Sequence, residues 1–422
     1  MFNSAQRLTR FTFFSLWIVF CLAQTGVLQI DFQHLLDQVQ IALQQENWEQ
    51  SLSLYRRVVE SDSESVSAWI GVGVSLSHLE RNSEAIVSLE RAVELAPEDA
   101  RIQGVLARTY FKNRQYDQAD EWYQKAIKLH PTSAPVSWYL DLGLIEMHRG
   151  HFEQARRYYL VAVQLHPKSV VAYQNLGLLL LNQNRFDEAD ACFYTALTVE
   201  PEIGSALFGR GEVAFKRGNY SQAVDFYQQA IQQEPTVSEY YYALAQALLR
   251  AGKMAEGKAS LAQAKRLKAK LLRQEAHQAA RKKDWLQVAL VLRQAIERDP
   301  TYVDAVEDLA YLQVQQGELA EAESTLNAVL RLVTDWAPGY WQRGDVRYQQ
   351  KKYEQAEEDL RRAIELAPSA APPRFSLAQL LFDQQEASLP EAENLAESAY
   401  QLDPQPKYNE LLQQIRRTRD HR

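Results

Sequence analysis

A unit of about 34 residues recurs along this chain, and no other feature of it restricts the fold so strongly. Residues 136–169, VSWYLDLGLIEMHRGHFEQARRYYLVAVQLHPKS, show the unit best. Tyr139, Leu142, Gly143 and Glu146 recur at helical spacing in its first half, and Ala155, Tyr159 and Ala162 do so in its second, before Pro167. Each half therefore gathers its packing residues on one face of a helix. Gly150 and His151 stand between the halves, where a tight helix-to-helix turn needs a residue tolerant of positive φ. Gly143, Ala155 and Ala162 are small where two backbones must approach, and Phe152 and Tyr159 fill the space beside them. Such a pair cannot bury its own apolar surface and needs a neighbour on each side.

The neighbours are present. In residues 66–99, Trp69, Val72, Gly73 and Leu76 precede Ala85, Leu89, Ala92 and Pro97. The slots return as Leu106, Ala107, Tyr110, Tyr116, Ala119, Tyr123, Ala126 and Pro131, then as Tyr173, Leu176, Gly177, Phe186, Ala189, Phe193, Ala196 and Pro201. They return again as Leu207, Gly211, Gly218, Tyr220, Ala223, Tyr227, Ala230 and Pro235, and as Tyr340, Gly344, Tyr353, Ala356, Leu360, Ala363 and Pro368. This pattern resembles the tetratricopeptide repeat family over nearly the whole of 32–404. The resemblance implies an all-α fold: an α-solenoid of about eleven helix-turn-helix repeats in a right-handed superhelix, following an N-terminal signal or anchor segment.

Some units depart from the pattern. Ser51 and Val58 replace the two alanines in residues 32–64, Gly257 and Val288 replace alanines later, Glu275 replaces a leucine, and 303–336 lacks the closing proline. In the last unit residues 386–390 lengthen the turn. These departures divide the chain into a signal peptide or membrane anchor (1–30), an N-terminal array (32–250), basic degenerate repeats (251–302), a C-terminal array (303–404) and a capping helix with tail (405–422).

Residues 11–23 form an unbroken apolar run behind Arg7 and Arg10, the arrangement of an export signal with Ala23 before the cut, or of an uncleaved anchor extended by Val27, Leu28 and Ile30. Two arginines before the run favour an N-terminus held inside, so the repeats are expected across the membrane, periplasmic, secreted or anchored. The formal charge of -8 and the export signal argue against a nucleic-acid partner. From 250 to 283 the charge reverses: Arg250, Lys253, Lys258, Lys265, Arg266, Lys268, Lys270, Arg273, Arg281, Lys282 and Lys283 face only Glu256 and Glu275. No glycine or proline interrupts 258–283, so one long helix, or two with a soft junction, spans a candidate hinge or a basic patch for an acidic partner or lipid headgroups.

Nothing in the chain carries a reaction. The eight histidines are dispersed, the two cysteines fall at Cys21 in the apolar run and at Cys192 beside Phe193, and no metal, phosphate-loop or nucleophile motif occurs. A non-enzymatic scaffold with no cofactor, no metal and no small-molecule substrate is therefore expected, binding other proteins. The resemblance further implies that the first helix of each pair lines the concave surface. Reading the outward slots there gives Arg101, Arg108, Phe111 and Lys112, then Leu140, Leu144, Met147, Leu178 and Leu181, then Phe208, Phe215, Tyr242 and Arg250, then Arg273 and Arg281, the acidic Asp304 and Glu307, and finally Trp341, Tyr348, Phe375 and Phe382. Aromatic and arginine side chains there suit a peptide or helix with acidic flanks, for assembly of an envelope, secretion or export machine. The alternative is a carbohydrate or cell-wall factor, with the last four aromatics stacking on sugars. The lysine and asparagine with which some members of the family clamp a carboxyl terminus are missing from the corresponding slots.

Overall fold

The structure is a computed structural model that describes residues 29–384 and 389–420. The described residues form 22 α-helices and no strand. The chain divides into two compact units, Met1–Arg217 and Gly218–Arg422. The first holds α1 (Gln29–Gln44), α2 (Trp48–Ser61), α3 (Val66–His78), α4 (Asn82–Leu95), α5 (Ala100–Lys112) and α6 (Tyr116–Leu129). It continues with α7 (Val136–His148), α8 (Phe152–Leu165), α9 (Val170–Asn182), α10 (Phe186–Val199) and α11 (Gly204–Lys216). The second holds α12 (Tyr220–Gln233), α13 (Ser238–Arg250), α14 (Met254–Arg281), α15 (Trp285–Arg298), α16 (Val303–Gln315) and α17 (Leu319–Leu330). It ends with α18 (Ala337–Gln349), α19 (Tyr353–Leu366), α20 (Ala371–Gln384), α21 (Leu389–Leu402) and α22 (Pro406–Asp420).

The boundaries follow local chemistry. Ala96, His130, His166, Glu200 and Glu234 each precede a proline and sit at φ between -131° and -142°, outside the helical range. A proline ring disfavours the helical conformation in the residue before it, so the second helix of each repeat stops there. The next first helix starts on a cap where one is available: Asp99 accepts from the Arg101 amide, and Ser169 from that of Ala172. Between residues 236 and 299 no proline occurs, and α14 runs unbroken from the second helix of one repeat into the first helix of the next. The one-helix reading of this stretch holds.

The turn inside a repeat differs from expectation. Gly150 and Gly317 adopt φ of 78°, but Glu80, Arg114, Asn184 and Lys351 occupy the same left-handed position at 59–62°. Each non-glycine there costs about 1–2 kcal/mol, which the packing of the flanking helices offsets.

Within the first unit, α3, α5, α7 and α9 each also meet the next first helix, so the stack is tighter on that side and the second helices fan outward. Rings from the second helices wedge these contacts apart. Phe193 of α10 lies against Gly177 of α9 and Gly209 of α11: a Cβ at either glycine would stand 2.8 or 2.5 Å from its ring. Tyr159 of α8 fills the same place against Gly143. Ser51, at a slot where alanine is usual, is fully buried and hydrogen-bonds the Ser75 hydroxyl of α3 at 2.9 Å. In the second unit α16, α18, α20 and α22 meet in the same succession, and α22 closes the stack with Tyr408, Leu411, Leu412 and Ile415 buried.

The apolar run at 11–23, with the signal or anchor expected from it, lies outside the described residues. Among the described residues no helix is long and apolar enough to cross a membrane.

Candidate partner-binding surface

Helical periodicity places Arg101, Arg108, Phe111 and Lys112 on α5, with Arg108 and Lys112 one turn apart. Arg101 is drawn back onto the cap of its own helix by Asp99, at 2.8 Å. Arg108 is exposed and has no ion pair among the described residues. The Lys112 ammonium donates to the Ser77 hydroxyl at 3.2 Å; burial, and then the Arg108 charge, hold its pKa below the usual lysine range. Phe111 is half-buried against Tyr116, 5.7 Å between ring centres. Beyond them, Leu144 of α7 and Leu178 of α9 are exposed, and Leu140 and Met147 are half-buried. Phe208 and Phe215 of α11 are half-buried as well. Leu181, expected on this surface, is instead buried with Leu180 and Tyr159, because its side of α9 turns toward the neighbouring helices.

Behind the cations lies a buried pair that sequence reasoning missed. Tyr123 of α6 donates to Asp141 of α7 at 2.6 Å. Burial pushes the Asp141 carboxyl above the usual range against the pull of this bond, Arg108 and Lys112. An open depression of about 600 Å³ beside Arg101, lined by Asp99, His130, Ser133 and Trp138, was also not legible, since its walls come from two inter-repeat loops.

In the second unit Tyr242 of α13 is 53% exposed, and Arg250 is exposed at the end of the same helix. The aromatics farther on are tied to the following repeat. The Trp341 indole donates to the Ser376 hydroxyl at 3.0 Å, Tyr348 donates to Asp383, and Phe375 packs on Tyr408 with ring centres 4.8 Å apart. Phe382 is half-buried against the same core. Arg273 is held by Asp304 at 3.2 Å and Asp308 at 2.6 Å. Burial, then Asp308 and Asp304, raise the pKa of Glu307.

Asp345, one turn from Trp341, has its carboxyl pushed up to about 6 by burial, partly offset by hydrogen bonds from Ser376 and Trp341 and by the Lys407 charge. The folded pKa exceeds the unfolded value of 3.8, so the fold prefers the protonated acid, and stability contributed at low pH is lost as pH rises from 3.8 to about 6. The full shift corresponds to about 3 kcal/mol, and the partial exposure of the side chain reduces this to about 1–2 kcal/mol. Asp345→Asn should remove this slope, so urea midpoints of variant and parent should diverge between about pH 4 and pH 6 in the variant's favour and keep a constant gap above that. Curves that stay parallel between about pH 4 and pH 6 would show that Asp345 is solvated in both states.

Cys192 is half-buried, and burial pushes its thiol up to about 11. Among the described residues no group of histidine, cysteine and carboxylate side chains is placed to hold a metal.

The family model described as tetratricopeptide repeat matches residues 36–100 and 175–238, and further models of that description match 76–140, 214–283, 271–342, 337–370 and 158–191. The chain belongs to the tetratricopeptide repeat family. Tetratricopeptide repeat protein 37 of Xenopus laevis is 26% identical over 101 residues, which are 23% of this chain and 6% of that protein's length. Among solved structures, YrrB, described as a tetratricopeptide protein with an unusual peptide-binding site, is 21% identical over 47% of this chain and 97% of its own, with a TM-score of 0.38. PilF of Pseudomonas aeruginosa is 22% identical over 49% of this chain and 92% of its own, at 0.43. Cut9-Hcn1, a hetero-tetramer of the APC/C, is 12% identical over 90% of this chain and 96% of the matched chain, at 0.35. Tetratricopeptide repeats generally bind other proteins.

Proposed function

We propose that this tetratricopeptide chain is a protein-binding scaffold that holds a peptide or helix with an acidic flank along the first-helix face of its N-terminal unit. One observation carries the reading: Arg108 and Lys112 stand side by side on that face, both exposed and neither in an ion pair among the described residues, so that only the charge of the buried Asp141 behind them acts on both. Two adjacent cations repel one another, and a carboxylate brought by a partner relieves that cost. Leu144 and Leu178, exposed on the next two first helices, supply apolar contact beyond the cations. The export or anchor signal expected at 11–23 extends the proposal to assembly of an envelope, secretion or export machine. No specific observation favours the carbohydrate reading, since Trp341, Tyr348 and Phe375 are engaged with the following repeat.

Tagged full-length chain and an Arg108→Glu, Lys112→Glu variant are to be compared in affinity capture from host membranes. Partner recovery should fall at least about tenfold in the variant, the scale of a charged hot spot, with helicity and melting unchanged. Equal recovery from both would overturn the assignment of this face. Protease digestion of intact cells tests location separately, and repeats protected only by the cytoplasm would end the export reading.

A further inference from the structure

The turn between α14 and α15 and the first turns of α15 form a surface that the protein-binding reading does not use. Leu286 is 83% exposed, Leu290 49% and Trp285 48%. Leu286 and Leu290 lie one turn apart on the face of α15 opposite Val288, Val291, Leu292 and Ala295, which pack into the core. Arg281, Lys282, Lys283 and Arg293 surround them, all exposed and none in an ion pair among the described residues. The other arginines of α14 contrast with these, because Arg266 is held by Asp299, and Arg273 by Asp304 and Asp308. The acid within the turn, Asp284, is occupied in capping α15, where it accepts from the Gln287 amide at 3.1 Å.

We propose that this turn and the outer face of α15 rest on an anionic lipid surface. The chemistry selects the occupant. Exposed leucines rimmed by free cations match the two layers of a bilayer interface, acyl chain and phosphate, and tryptophan resides at the headgroup level between them. The surface adds a lateral membrane contact to a scaffold whose partner binds elsewhere, so it stands or falls independently of the partner-binding face.

The test uses the full chain with vesicles of phosphatidylcholine alone and of phosphatidylcholine with phosphatidylglycerol, the latter also prepared with brominated acyl chains. Binding should require the anionic lipid. Brominated vesicles should quench a component of the tryptophan fluorescence that is absent from Trp285→Phe, which distinguishes this site from any insertion of the N-terminal apolar run. Lys282→Glu with Lys283→Glu should weaken vesicle binding by about tenfold or more, and Leu286→Ser with Leu290→Ser should abolish the Trp285 quench. Quenching equal in parent and Trp285→Phe would overturn the proposal. So would unchanged affinity in the charge-reversed chain, or capture of an acidic protein through this turn without any vesicle binding.

Discussion

Phe193→Ala should destabilise the N-terminal unit by about 3–5 kcal/mol, the cost of emptying a fully buried ring site. The ring is 1% exposed and spaces two first helices at once, touching Gly177 in its own repeat and Gly209 in the next. Neither glycine can fill the void, and helices of successive repeats cannot collapse together without shifting their other contacts. In a stack whose units touch only their neighbours, such a loss is local, weakening one interface and leaving distant repeats intact. Urea unfolding should therefore lose cooperativity, and amides of α9, α10 and α11 should exchange faster while those of α3 and α4 do not. A loss below about 1 kcal/mol would mean that the helices close over the space and that the wedge is dispensable.

Asp359→Ala should cost the C-terminal unit about 3–5 kcal/mol, through charge rather than volume. Asp359 is buried and accepts from Arg343 at 2.5 and 2.8 Å and from Arg347 at 2.9 Å. Arg343 also donates to Asn327 at 2.6 Å, and Arg347 to Glu323, which in turn receives Lys352 at 2.7 Å. The network joins α17, α18 and α19 and so crosses from one repeat to the next. Removing its central carboxylate leaves two half-enclosed guanidinium groups with one anion, Glu323, between them. Glu84→Ala makes the control: Glu84 pairs with Arg81 on an exposed surface, and its loss should leave the denaturation midpoint nearly unchanged. Chemical denaturation of both variants gives the comparison, and equal losses would refute the distinction between buried and exposed pairs.

What could be read from the residues was whatever repeats in phase. The helix pairs, their prolines and the capping face of Tyr408, Leu411, Leu412 and Ile415 recur or end at positions that local spacing identifies. The continuity of α14 was half legible: the lack of proline and glycine over 258–283 allowed one long helix or two with a soft junction, and the first of these is found. The left-handed Glu80 and Arg114 were not recognised, although they stand in the same phase as Gly150, because the expected glycine was sought by type and not by position. Long-range pairs were beyond reach for a different reason. Ser51 is only a departure from the repeat in sequence, because its partner Ser75 lies 24 residues away, and nothing local marks Asp359 as the acid that Arg343 and Arg347 enclose. Periodicity assigns the candidate surface residues to first helices, but it does not separate an outward side chain such as Leu178 from Leu181, three positions later, which faces a neighbouring repeat.

The unbroken α14 has a consequence for how force travels. A stack of separate hairpins pulled from one end peels a repeat at a time, each loop serving as a release point. Two repeats here share one ladder of backbone hydrogen bonds along 28 residues, a rod of about 42 Å. Neither can be drawn off without melting helix that belongs to the other. They yield as a single double-length step, which makes this segment a mechanical stop on the C-terminal side of Arg250.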